Sequence, residues 1–237
     1  MHIEDIDNGG FVETIENGIV KKVVCSNENG ICIVYFYDKP PIELNVGCSV
    51  YNRQYGIPVS EDGSKLFIGS WEKGFGGLEK GLMAYDTTSG SLLWRLAEGK
   101  IRHIIVYQNY LITLKTNAAI FKVDISSGAI LDQIKSGTIE NLYNLGFPYV
   151  LVDAVVGKLC IIDVESMSIT KKYGSKHGSK LINPSNCLSV LIQSATLQGN
   201  TLTISGVEQE HFNRTFDVSN HKSFSRIIDA DFGSNFG

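Results

Sequence analysis

Apolar residues along this chain fall in short runs, separated by clusters of Gly, Asn, Asp and Ser. Runs such as Leu82-Met83-Ala84-Tyr85 and Ile120-Phe121-Lys122-Val123 are too short for helices. Their β-branched and aromatic content reads as half-buried or fully buried strand. The best amphipathic helical window, 137–145, is short and bounded by Gly137 and Gly146. The pattern predicts an all-β chain.

Three segments align without gaps: Leu82 to Arg95, Ile120 to Gln133 and Leu159 to Lys172. Their aspartates, Asp86, Asp124 and Asp163, are 38 and 39 residues apart. Each unit reads as strand, tight turn, strand. The aspartate can accept hydrogen bonds from backbone N–H groups just ahead of it and so start the turn. Gly90 and Gly128 stand where a hairpin needs positive φ. Met167 replaces that glycine in the third copy, so a looser turn, or one of another type, is expected there.

Two more strand candidates precede each unit. They are His103–Val106 and Tyr110–Lys115 in the middle copy, and Asn141–Leu145 and Tyr149–Val152 in the next. In the earlier copy the turn Ser60 to Ser64 leads into Lys65–Ile68. About 40 residues and four strands per unit is the size of one β-propeller blade. Weaker copies flank these: Ile19–Cys25, Gly30–Asp38 and Ile42–Val46 on one side, and Leu188–Gln193, Thr196–Gln198, Thr201–Val207 and Phe212–Val218 on the other. The expectation is one small β-propeller domain over 1–237, with about five four-stranded blades at 11–46, 51–98, 101–136, 139–175 and 181–218. The candidate strand Phe224–Ile228, within 219–237, is expected to pair onto the first blade and close the ring. A pair of packed β-sheets is the alternative architecture.

The segment Tyr85-Asp86-Thr87-Thr88-Ser89-Gly90-Ser91-Leu92-Leu93-Trp94-Arg95 resembles the blade motif of quinoprotein-like and related WD-like propeller repeats. The second copy keeps Asp124 and Gly128 but carries Asp132 in place of the tryptophan, and the third keeps Asp163. The resemblance implies the fold. It carries no quinone chemistry across, because fold alone does not license an activity.

Hydrophobic residues make up 43% and charged residues 19% of the 237 positions, a globular composition, and the net charge is −4. Nucleic-acid binding usually shows as a basic excess or stripe, and the longest basic runs here are Lys21-Lys22 and Lys171-Lys172. Neither a basic-apolar leader nor a run of about 18 apolar residues is present. The sequence thus predicts a cytoplasmic protein with no nucleic-acid or membrane partner. Cys25, Cys32 and Cys160 sit among β-branched residues and read as core thiols. The glycosylation sequon Asn213-Arg214-Thr215 is then a chance match.

His2, His103, His177, His211 and His221 lack metal-ligand spacing, and His103 reads as preceding a strand. Gly74-Phe75-Gly76-Gly77 lacks the Lys-Ser/Thr of a phosphate loop. The acidic stretches Glu4-Asp5-Ile6-Asp7 and Asp229-Ala230-Asp231 read as exposed charge. No catalytic residue, metal or cofactor is expected. One local anomaly remains. Blade two carries a long insertion, Trp71 to Gly81, where a short hairpin turn would suffice. Loops on a rigid scaffold concentrate function, and aromatics in them are typical contact anchors. The candidate partner-binding residues are Trp71, Glu72, Lys73, Phe75, Leu78 and Glu79, with Arg53 and Tyr55; Tyr107 and Tyr143 are further candidates near blade edges. The expected function is a non-enzymatic protein-binding module for another, basic protein. An inhibitor or immunity protein of a bacterial cell is a narrower version. The alternatives are a small-ligand-binding or hydrolytic propeller with its site in the central channel, and a structural subunit of a larger assembly.

Overall fold

The structure, a computed structural model, describes residues 2–5, 11–14, 19–26, 30–47, 58–70, 81–99, 101–115, 119–135, 139–154, 158–173, 191–207, 211–217 and 226–227. Among these residues all regular structure is β, with twenty strands and no helix. None of it is therefore a helix long and apolar enough to cross a membrane. The chain divides into two compact units, Met1–Gly137 and Thr138–Gly237.

The first unit holds three antiparallel sheets. One is five-stranded: β1 (His2–Asp5), β2 (Phe11–Thr14), β3 (Val20–Ser26), β4 (Ile31–Phe36) and β5 (Ile42–Asn45), in chain order. The next is β6 (Lys65–Gly69), β7 (Leu82–Asp86) and β8 (Leu92–Leu96), with Val59 bridged to Leu66 beside β6. The third is β9 (Ile101–Tyr107), β10 (Tyr110–Lys115), β11 (Ala119–Asp124) and β12 (Ile130–Lys135). The second unit holds two four-stranded sheets. They are β13 (Ile139–Asn144) to β16 (Ser168–Tyr173) through β14 (Tyr149–Ala154) and β15 (Lys158–Asp163), and β17 (Leu191–Gln198) to β20 (Arg226–Ile227) through β18 (Thr201–Val207) and β19 (His211–Asp217).

Alternation explains how the sheets of the first unit stack. Successive side chains on a strand point to opposite faces. Leu66, Ile68, Met83 and Tyr85 therefore pack with Val23, Val34 and Leu44 of the first sheet. Phe67, Leu82 and Ala84, the intervening residues, pack with Ile101, Leu111, Phe121 and Val123 of the third. A sheet covered on both faces needs apolar residues at every position, and β7 has Leu82 to Tyr85 all buried. Strand β12, at the edge of its sheet, is exposed or half-buried throughout.

The repeated aspartates start the turns as the sequence predicts. Asp86 Oδ1 accepts from Thr88 N (2.9 Å), Ser89 N (2.6 Å) and Ser89 Oγ (2.9 Å). Asp124 repeats this with Ser126 N, Ser127 N and Ser127 Oγ at 3.0, 2.7 and 2.7 Å. Asp163 accepts from Glu165 N and Ser166 N at 2.9 and 3.0 Å. The third turn is not of another type: Met167 takes φ +47°, in the same left-handed region as Gly90 at +71° and Gly128 at +73°. The aspartate-held backbone imposes the turn, and the buried Met167 side chain packs in spite of its unfavourable φ.

Other expectations are corrected. Strand β20 pairs with β19, Thr215 opposite Ile227, so the tail strand completes the last sheet. Leu188–Gln193 and Thr196–Gln198 are not two strands: within the described residues β17 runs unbroken from Leu191 to Gln198, and the polar break at Ser194 is absorbed by a shift in register between Ile192 and Ser194. Glu4 and Asp5 lie on strand β1, opposite Val12 and Phe11. The window 137–145 is mainly β13, in line with the strand expected at Asn141–Leu145. His103 lies within β9 at φ +39°, where the register shifts opposite Thr113 and Leu114. Cys25 and Cys32 are buried, as expected, but joined in a disulfide; they stand directly opposite one another on β3 and β4. Cys160 is a half-buried thiol.

Candidate functional site

Trp71, Glu72, Lys73, Phe75, Leu78, Glu79, Arg53 and Tyr55 lie outside the described residues. The two ends of the segment that carries the first six are described. Ser70 N donates to the Gly81 carbonyl at 2.8 Å, and Gly81 N returns a bond to Ser70 Oγ. Ile101 N, at the start of β9, donates to the Ser70 carbonyl at 3.2 Å. Ser70 is fully buried. The backbones here approach so closely that a side chain at Gly81 would drive its Cβ into the Leu96 carbonyl oxygen. At Gly69 it would lie 2.7 Å from the Ile101 carbonyl oxygen. The stem of segment 71–80 is thus wedged between the end of β8 and the start of β9. Near it, Lys115 and Glu98 form a 2.8 Å ion pair, both partly exposed.

The further candidates Tyr107 and Tyr143 are buried, with 7% and 3% exposure, and are not surface anchors. Tyr107 packs beside Tyr110 with ring centroids 5.9 Å apart. Burial, with Tyr110 alongside, pushes its phenol well above the ordinary range, so it stays neutral. Strand-end tyrosines carry enough apolar ring to be drawn inward.

The opposite end of the β6–β8 sheet presents a polar groove of about 390 Å³. Ser60, Glu61, Asp62 and Lys65 form one wall, and Gln108, Asn109, Ile125 and Ser126 the other. Asp62 is already engaged: its Oδ1 accepts from Ser60 Oγ at 2.6 Å and from Ser64 N at 3.0 Å. Those bonds, Ser60 first, hold its carboxyl down at about 2. Asp86 and Asp124 are lowered in the same way, chiefly by Ser89 N–H and by Ser127 Oγ–H respectively. These carboxylates organise turns and stay ionised. Their tuning is opposite to that of a proton donor at neutral pH. Among the described residues no group of three or more His, Cys, Asp or Glu is placed to hold a metal.

Sequence reasoning missed the stem clamp and the contact that links successive turns. Trp94 Nε1 donates to the Ile125 carbonyl at 3.1 Å. Its ring lies against Gly128, where a Cβ would be 2.6 Å away. The blade motif names both residues, but only the stacking of β8 on the next turn shows that they touch. Similarly, Gly90 faces β5, with a Cβ position 3.4 Å from Glu43 O and Leu44 Cδ2. The signal for the groove, polar turns from adjacent sheets, exists only in three dimensions.

No protein-family model and no curated protein sequence matches the chain. Solved structures do. BamB from Moraxella catarrhalis, a β-propeller, is similar with a TM-score of 0.61 at 16% identity, over 94% of this chain and 65% of that one. The computationally designed Ika8 protein is similar with a TM-score of 0.58 at 12% identity, over 86% of this chain and 56% of that one. The chain therefore spans less than two thirds of either neighbour. At such identities the likeness supports the quinoprotein-like propeller resemblance at the level of fold alone.

Proposed function

We propose that the chain is a non-enzymatic protein-binding module on a β-propeller scaffold, each of the five sheets one blade. Its partner-binding residues are Trp71, Glu72, Lys73, Phe75, Leu78 and Glu79, with Arg53 and Tyr55. The observation that carries this reading is the buried Ser70–Gly81 clamp, tied to Ile101. A stem held in this way ties the residues it carries to a rigid scaffold, where binding residues concentrate. With a net charge of −4, the favoured partner is basic. An inhibitor or immunity protein is the narrower version of the same reading.

The test keeps Ser70 and Gly81 and replaces 71–80 with a Gly/Ser segment of equal length. Partner binding should be lost while the unfolding midpoint stays within about 2 °C. Retained binding overturns the reading. A second reading, a small-ligand site, draws on the polar groove between Asp62 and Ser126. It predicts that Lys65→Ala with Asn109→Ala abolishes ligand uptake and leaves protein binding intact.

A further inference from the structure

We infer that Cys25 and Cys32 form a permanent structural disulfide, laid down by thiol–disulfide exchange, and that the protein therefore matures in an oxidising compartment. The two residues are paired in the β3–β4 register, with Cα atoms 4.2 Å apart. Directly opposite residues at such spacing form the close, non-hydrogen-bonded pair of an antiparallel ladder, whose side chains share one face. Both side chains are fully buried, in the core shared with Val23, Val34, Leu44 and Leu66. An attacking thiolate must reach a sulfur, and this core excludes it while the sheet is intact. The bond is thus a fixed staple and not a switch. Such bonds persist outside the reducing cytosol. The inference takes the place of the cytoplasmic expectation, which rested on the missing basic-apolar leader and membrane span and with which core thiols agreed.

The chemistry balances with a thiol oxidoreductase carrying its own disulfide as oxidant. The thiolate of one cysteine attacks that disulfide, forming a mixed disulfide and releasing one oxidant thiolate. The thiolate of the other cysteine then attacks the sulfur of the first, forming the Cys25–Cys32 bond and releasing the second. The oxidant leaves as a dithiol with the electron pair and the two protons.

Glu28 lies between the two cysteines in sequence, which gives a direct assay. Cells of the native host are quenched in acid and alkylated under denaturing conditions without reductant. The protein is then cut after glutamate. Fragments 17–28 and 29–43 are expected to remain joined and to separate only on reduction. Separate fragments, each alkylated at its cysteine, overturn the inference. A Cys25→Val, Cys32→Val double variant keeps the core apolar while removing the link. Its unfolding midpoint should fall by roughly 5 °C. An unchanged midpoint rejects the structural role.

Discussion

Gly128 meets two demands at once. Its φ of +73° disfavours any side chain, and the Trp94 ring occupies the space a Cβ would take. Gly90 has the same backbone, but its nearest neighbours are 3.4 Å away. Gly128→Ala should therefore cost about 3 kcal/mol and Gly90→Ala about 1 kcal/mol in urea unfolding. Equal costs would mean that Trp94 moves aside freely. The carboxylates add a pH dependence with a defined sign. Asp62 is lowered from 3.8 to about 2, and Asp86 and Asp124 are also lowered. A depressed carboxyl contributes stability that is present above the unfolded value and lost as pH falls through the folded one. The thermal midpoint should drop between about pH 4 and pH 2. In an Asp62→Asn, Asp86→Asn, Asp124→Asn variant that drop should flatten, since the amide oxygen keeps the turn without titrating.

At the scale of elements, burial separates strands that the sequence pattern alone ranks together. Both β10 and β12 are apolar-rich, yet Leu111 is fully buried and Leu131 is 55% exposed. Leu111→Ala should cost about 2–5 kcal/mol and Leu131→Ala less than about 0.5 kcal/mol. Similar costs would show that β12 is covered in solution. Strands and Asp-turns were readable from local chemistry: alternating apolar residues, and a carboxylate ahead of the N–H groups that it binds. What sequence missed depended on context. Met167 keeps the left-handed φ of the other copies because Asp163 still holds Glu165 N and Ser166 N, although the serine hydroxyl bonds Ser168 here and not the aspartate. Phe224–Ile228 carried no sign of its pairing partner, because a strand's neighbour is set by topology. Cys25 and Cys32 read one at a time as core thiols, and only the β3–β4 register brings them opposite.

At the scale of the molecule, the repeat of 38 and 39 residues made the propeller-type fold readable, and the likeness to BamB agrees with it. Binding was less readable. The insertion stood out by its length, whereas its Ser70–Gly81–Ile101 clamp depends on three strands meeting. The most direct measurement is affinity purification of the tagged protein from its native host, wild type beside a Trp71→Ala, Phe75→Ala double variant, read by quantitative mass spectrometry. One stoichiometric protein partner is expected with the wild type, lost with a variant whose unfolding midpoint is unchanged. A wild-type protein that emerges without a partner, or a partner retained by the variant, would contradict it.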